Sequence, residues 1–380
     1  MNCKNVFASL FAAGLLLLPS GALQLRAGEA PSSTPNAGNG STPSSRPGGP
    51  AGSLFGGRLR FSGMLQGGYF ASYGVKSPLT AAFPGGGAND FNLHRLIFIV
   101  NADITDKLTV TYNGNFVGGY SNLEFYATYR FAPEFQVQFG QKKIPLTMDN
   151  QFSPAVSDLI ATGSFVTNYF VAGDASNPLT GAWGGRDLGM EVRGDLFHNL
   201  LSYRLGVYNG QGINVRDKNK AKDLSGSLTL RPFKGMELQG SFYEGTTVAV
   251  GTALFEAGGS RIQAGDEYRR SRFAASAAYS SDRFGVRSEY ISGRDGAVRS
   301  DGVYVTARAE LRDRLELICS YAYGDFNKGE ASHLVLNNYI AGLQYWFLPK
   351  CRIRLEYSLM DLPGKGNLNH TLTSQLQFAF

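Results

Sequence analysis

The chain has 380 residues, enough for two ordinary domains or for one large barrel, and a formal net charge of +6 at pH 7. Its 36 Lys and Arg are spread along the chain among 30 Asp and Glu, which gives no support for a nucleic-acid partner. Aromatic residues make up 12% of the sequence and glycine reaches 48 residues. Beyond the amino terminus there is no long apolar run, and this combination is typical of transmembrane strands.

The amino terminus has the three parts of a secretory signal peptide. Lys4 precedes an apolar run over residues 6–18, and small residues follow as far as Ala22. We place the signal peptide at residues 1–22, with cleavage after Ala22 or, as a second option, after Ala27. No later stretch reaches the roughly 18 apolar residues of a membrane helix. The sequence therefore predicts an exported chain that no helix anchors.

Residues 23–54 form the next segment, which we interpret as a Pro/Gly/Ser-rich disordered linker. Between residues 28 and 53 almost every side chain is small or polar. Such a composition cannot bury a core, so the segment is expected to lack a fixed structure. Plain disorder and a periplasmic tether are the two interpretations that the composition allows.

From Phe55 to Phe380 the sequence alternates between short turns and longer connections rich in Gly, Pro, Asn and Asp. The short turns are predicted at 105–107, 132–134, 198–199, 232–235, 281–283, 312–314 and 348–350. The longer connections are predicted at 72–90, 118–121, 145–185, 211–220, 246–267, 294–300, 327–332 and 361–370. This alternation predicts an all-β fold, a transmembrane antiparallel β-barrel of about 16 strands over residues 55–380.

Most of the predicted strands are amphipathic with a period of two. In residues 352–359, charged and polar side chains alternate with Ile, Leu and Tyr. A soluble sandwich alternates as well, but strands of about 9 to 14 residues are roughly twice the usual length in that fold. Residues 93–100 fit the pattern less well, because Ile97 and Ile99 fall on the polar parity.

Two cysteines remain after the predicted cleavage. Cys319 and Cys351 both fall on the apolar parity of their predicted strands, and a whole strand separates them. An even count in an oxidising compartment is compatible with a disulfide, but this placement favours two free thiols.

The chain ends on a bare aromatic residue. In residues 371–380 apolar side chains occupy one parity and small or polar ones the other, so the final strand has a face suited to lipid. Phe378 and Phe380 are the candidate signal read by the barrel-assembly machinery. We expect contact with outer-membrane lipid, and thus a location in the outer membrane of a Gram-negative-type bacterium.

If the apolar parity faces lipid, the other parity lines a lumen. The candidate pore-lining residues are Arg95, Arg130, Lys142, Arg193, Arg204, Arg231, Arg308, Arg352 and Arg354. Carboxylates share this face, so one interpretation is a wall in which opposite charges pair across strands. The other is an anion pathway, because rings of Arg and Lys bias a pore towards anions and phosphate.

The longest connection, residues 145–185, is unusually apolar for a loop. Large apolar side chains in a loop of this length are not expected to lie bare in water. We predict that it folds into the barrel as a constriction; packing on the rim or against a neighbouring subunit is the alternative. The candidate constriction residues are Asp149, Phe152, Asp158, Phe165 and Asp174.

Three stretches carry a family resemblance. They are residues 140–145 (GQKKIP), 186–189 (RDLG) and 206–210 (GVYNG), with Asp217, Asn219 and Asp223 downstream. In order and spacing they resemble the middle third of the porin family named for the phosphate-selective porins O and P. The resemblance implies a 16-stranded, usually trimeric, outer-membrane channel whose third loop bends into the pore. Phosphate-specific members line that constriction with cationic side chains, whereas this chain has no Lys or Arg between Pro145 and Gly185.

The predicted function is passive diffusion of small hydrophilic solutes, including small anions, through a homotrimer. A surface receptor or adhesin with a plugged lumen is the alternative. An enzyme is not supported, because the four histidines show no legible pairing with Ser or Asp. The spacing of Cys and His lacks a metal signature, and no cofactor is predicted.

Overall fold

The computed structural model describes residues 53–54, 57–74, 89–173, 177, 179–180, 184–255, 260–330, 333–363 and 367–380. The predicted signal peptide and nearly all of the predicted linker lie outside these residues. Within them, no helix is long and apolar enough to cross a membrane.

The described residues form a sheet structure with 19 strands. In chain order they are β1 (Ser53–Leu54), β2 (Leu59–Gly74), β3 (Asn89–Asp103), β4 (Leu108–Asn115), β5 (Ser121–Ala132), β6 (Phe135–Lys143), β7 (Arg186–Leu196), β8 (Leu201–Tyr208), β9 (Asp223–Leu230), β10 (Met236–Val248), β11 (Ala253–Phe255), β12 (Ser260–Ile262), β13 (Glu267–Ser280), β14 (Phe284–Asp295), β15 (Val298–Arg312), β16 (Leu315–Lys328), β17 (Leu334–Leu348), β18 (Cys351–Leu362) and β19 (Asn367–Ala379).

Sixteen of these strands close into one antiparallel barrel, as the sequence predicts. Strands β2–β10 and β13–β19 pair in chain order, and β19 closes the ring against β2 from Asn369↔Gly74 to Ala379↔Met64. Strand β1 pairs with the start of β2, and β11 and β12 form a separate hairpin. Closure leaves no unpaired edge among the barrel strands, which is the condition for a sheet to span lipid.

The predicted connections all fall between consecutive barrel strands, but two of the longer ones, at 294–300 and 361–370, are shorter than predicted. Residues 75–88 of the connection predicted at 72–90 lie outside the described residues. All seven short turns join strands at one end of the barrel, where the chain also terminates. At 294–300 a connection is present, but it is a two-residue turn, because β14 and β15 stay paired up to Asp295↔Val298. Gly296 in that turn has φ = 60°, a left-handed conformation that glycine adopts without strain.

The two faces of the barrel wall differ as the period-two pattern predicts. On β19, Leu376 and Phe378 are 39% and 44% exposed on the outside, whereas the side chains of Gln375 and Gln377 are buried on the inside. Large exposed apolar side chains recur around the barrel on the same outer face. An apolar band around a closed barrel is the surface that contacts lipid.

The structure also shows where the residues that fit the period-two pattern least well lie. Ile97 and Ile99 do point inwards and contribute apolar surface to the interior.

Cys319 and Cys351 are both free thiols, as their predicted placement favours.

The third long connection, residues 144–185, folds into the barrel. It contains a 3₁₀ turn (Asp149–Gln151), a one-turn helix α1 (Phe165–Asn168) and a π-helical turn (Tyr169–Gly173). The Ser164 side chain caps α1 by accepting a hydrogen bond from the Thr167 amide at 3.1 Å. The apolar residues of α1 and the π turn are buried against inward-facing side chains of the wall, as in the stacking of Tyr169 on Phe326 with ring centroids 3.8 Å apart. This burial explains why the loop is apolar.

Candidate channel lumen

A cavity of about 720 Å³ lies inside the barrel between the folded loop and the wall. Strands β2–β8 and β13–β15 supply the wall, and residues from Asp149 to Gly184 supply the loop side. The loop thus fills part of the interior, and the cavity occupies the space between the loop and these strands.

The cavity lining is strongly cationic. Its eight basic side chains are Arg95, Lys142, Lys143, Arg186, Arg193, Arg204, Arg287 and Arg308. Its three carboxylates are Glu124, Asp149 and Asp158. Because these groups share a partly enclosed space, their fields are less screened there than at an open surface.

Several of the basic side chains have a carboxylate partner in the wall. The buried Glu191 takes two of them, with Lys142 Nζ at 2.5 Å and Arg204 Nε at 2.9 Å. Arg186 pairs with Glu124 at 2.8 Å and Arg308 pairs with Glu316 at 3.2 Å. The wall of paired charges is therefore present, as one of the two interpretations holds.

Three basic side chains of the lining have no carboxylate partner in the part of the chain that the structure describes. Within the described residues, no carboxylate oxygen lies within 4 Å of the charged nitrogens of Arg95, Lys143 or Arg193. Arg95 donates to Gln66 Oε1 at 2.9 Å and Lys143 donates to the carbonyl oxygen of Phe152 at 2.7 Å, which are neutral acceptors. Their charge is left to act on the lumen.

Two glutamates of the wall fix the loop by its backbone. Both carboxylate oxygens of Glu289 accept hydrogen bonds, from the amides of Met148 and Asp149, each at 2.7 Å. Glu356 accepts from the amide of Ile160 at 2.8 Å. Charge-assisted bonds of this kind are among the strong hydrogen bonds of proteins, so they hold the backbone in place.

Two arginines of β18 hold the next part of the loop. The Arg352 guanidinium donates to the carbonyl oxygens of Ala155 at 3.1 Å and Ser157 at 2.9 Å. Arg354 donates to the same Ser157 oxygen at 3.0 Å. Both side chains are almost completely buried, so these two predicted pore-lining residues lie beneath the loop and not along the open cavity.

The predicted constriction residues form two groups, one of which contacts Arg287. Its guanidinium pairs with Asp149 at 3.0 Å and Asp158 at 3.3 Å, and lies 4.4 Å from the centre of the Phe152 ring. These three residues border the cavity. Phe165 instead packs into the wall on the far side of the loop.

Asp174, the fifth predicted constriction residue, lies outside the described residues. Of the nine predicted pore-lining residues, five border the cavity: Arg95, Lys142, Arg193, Arg204 and Arg308. Arg130 and Arg231 are not in its lining, and Arg231 pairs with Glu237 at 2.7 Å near the short-turn end.

Three lining cations were not among the predicted candidates. Arg287 falls on the polar parity of β14, so the period-two pattern alone was enough to include it. Lys143 and Arg186 fall on the lipid-facing parity, yet they border the cavity. They are the last residue of β6 and the first of β7, where the strands give way to the loop, and parity does not extend past a strand end.

Comparison with known proteins shows the fold. No family model and no curated protein matches the chain. Among solved structures, the chain is similar to an anion-selective porin from Comamonas acidovorans at 12% identity, with a TM-score of 0.61 over 85% of this chain and 99% of that one. It is also similar to Salmonella typhi OmpF in complex with daunomycin, at 12% identity and a TM-score of 0.59 over 84% and 97% of the two chains.

A third similar structure is the outer-membrane channel DcaP of Acinetobacter baumannii, at 12% identity and a TM-score of 0.56 over 84% and 97% of the two chains. The chain therefore has the β-barrel fold of outer-membrane porins. With its apolar outer band, this fold places the chain in the outer membrane of a Gram-negative-type bacterium. The narrower resemblance to the phosphate-selective porins O and P stays a prediction.

Proposed function

We propose that this protein is a passive channel for small hydrophilic solutes. The observation that carries the proposal is an open cavity of about 720 Å³ inside a closed barrel, bounded on one side by a loop fixed to the wall. In such a channel the width beside the loop and the charge of the wall decide what passes, and no covalent step is required.

We further propose that the channel prefers anions. Eight basic side chains against three carboxylates line the cavity, and Arg95, Lys143 and Arg193 have no carboxylate within 4 Å among the described residues. An anion that loses part of its hydration in the cavity gains these charges as partners, whereas a cation meets repulsion. The anion-selective porin of the same fold agrees with this proposal. Phosphate is the narrower candidate, since wall cations supply the charge that the loop lacks.

Current recording in a planar bilayer tests both the channel and its preference for anions. The purified protein is expected to give steady channels, and the reversal potential in a KCl gradient is expected to indicate chloride as the more permeant ion. A receptor or adhesin with a plugged lumen would give no steady current. Millimolar phosphate that leaves the chloride current unchanged would exclude the phosphate channel while the anion channel stands.

The assembly of the protein is proposed on the same basis. We propose that the protein forms a homotrimer in outer-membrane lipid. A signal peptide at residues 1–22 directs its export, and a linker at 23–54 connects the signal peptide to the barrel. Phe378 and Phe380 are 44% and 59% exposed at the short-turn end, where the barrel-assembly machinery has access to them. Native mass spectrometry of the detergent-extracted protein measures the copy number directly, and a monomeric mass would refute the trimer.

A further inference from the structure

The outer face of the barrel carries a row of basic side chains at the end of the long connections. Arg294 of β14 lies directly opposite Arg299 of β15, and Arg299 lies opposite Lys328 of β16. On β13, Ser271 pairs with Arg294, and Arg269 lies two residues closer than Ser271 to the end of the barrel that carries the long connections. We call Arg269, Arg294, Arg299 and Lys328 the outer cationic row. The three arginines are exposed and Lys328 is half-buried.

The row lies just beyond the lipid-facing band. Tyr290 is 45% exposed on the same face of β14, four residues before Arg294, and pairs with Val303, itself exposed. At about 3.3 Å per residue and a strand tilt of about 40°, Arg294 lies about 10 Å further out than Tyr290. Since outward aromatic residues mark the edge of the hydrocarbon region, the row reaches the level of lipid headgroups.

Two members of the row have no carboxylate partner among the described residues. Arg269 pairs with Glu244 at 2.5 Å, and Lys328 pairs with Asp301 at 2.7 Å and Asp325 at 3.1 Å. For Arg294 and Arg299, the described part of the chain offers no carboxylate within 4 Å of the guanidinium.

Without a bound anion, the position of Arg294 directly opposite Arg299 is electrostatically unfavourable. Like charges directly opposite each other on neighbouring strands repel, so an anion between Arg294 and Arg299 would remove a cost that the barrel otherwise carries. Two guanidinium forks side by side suit the oxygens of a phosphate group, which accept parallel N–H bonds.

We propose that Arg294 and Arg299 bind the phosphate of a phosphorylated glycolipid in the outer leaflet of the membrane. The position favours this occupant over a soluble anion, because the arginines lie on the outer wall, above the lipid band and away from the lumen. The lipid's acyl chains lie along the apolar face below, so both ends of one molecule find a matching surface.

The test measures binding of lipid A carrying two phosphates to the full-length protein in detergent, by native mass spectrometry. The Arg294→Gln/Arg299→Gln protein is expected to bind roughly tenfold more weakly, the loss expected for charge-assisted phosphate bonds. The matched control is Arg283→Gln/Arg314→Gln, two exposed arginines at the short-turn end, which is expected to stay within about twofold of the original protein.

Three results would overturn the proposal. They are equal binding by the two double variants, equal binding of dephosphorylated lipid A, and displacement of the lipid by inorganic phosphate at the same concentration. The Arg294→Lys/Arg299→Lys protein keeps the charge and loses the forks, and is expected to bind with intermediate strength. Heat-dependent mobility in gel electrophoresis verifies that every variant is a folded barrel.

Discussion

The link between β18 and the folded loop predicts a measurable change in gating when Arg352 is replaced. In Arg352→Met the side chain keeps an unbranched apolar stem and loses its charge and donors. The carbonyl oxygens of Ala155 and Ser157 then lose their bonds at 3.1 and 2.9 Å, and a longer contact to Pro154 at 3.4 Å is lost as well.

The magnitude follows from the two short bonds. A hydrogen bond to a charged group contributes about 1.5–3 kcal/mol, so holding this part of the loop loses about 3–6 kcal/mol. At 1.4 kcal/mol for each factor of ten, the population of the displaced loop rises by about two to four orders of magnitude. Glu289, Glu356 and Arg354 still hold the flanking backbone, so we expect brief excursions of the loop and not its release.

Single-channel recording at fixed voltage measures these excursions. The Arg352→Met channel is expected to show frequent short transitions to a level of higher conductance. Arg60→Met is the matched control, because Arg60 pairs with Asp103 and donates to no loop residue among its described contacts. An Arg352→Met channel as quiet as the control would refute the claim that this arginine fixes the loop.

Three further predictions concern the lumen, the loop and the terminus. Lys143→Glu reverses the charge of one lumen residue that has no ion-pair partner among the described residues, and it should shift the reversal potential in a KCl gradient towards that of potassium. The control Lys107→Glu, in an exposed short turn, should leave the reversal potential unchanged. An equal shift in both variants would mean that surface charge causes it. Deleting residues 152–175 should raise the single-channel conductance, and an unchanged value would remove the loop from the constriction. Phe380→Ala should lower the yield of heat-modifiable barrel in cells while Phe233→Ala, exposed in a short turn, leaves it unchanged; equal yields would refute the role of the terminal residue in assembly.

Much of the barrel could be predicted from the sequence because its signals are local. Each short turn interrupts an alternating pattern over two to four residues, and alternation assigns neighbouring side chains to opposite faces. The outward Leu376 and inward Gln377 are set in this way, without knowledge of what surrounds them. The length predicted for the connection at 294–300 is too great for the same reason, because Gly296 makes a tight turn and the charged residues around it resemble a longer loop.

The closed barrel, its two faces and its location in a membrane could all be predicted from local patterns in the chain. Which cations face water depends on the path of the folded loop. Arg352 and Arg354 lie under the loop, whereas Lys143 and Arg186 reach the cavity from strand ends. This difference arises from distance along the chain. Parity describes a residue and its neighbours, but the course of the loop depends on contacts such as Asp149 with Arg287, whose partners are far apart in sequence and meet only once the barrel has closed.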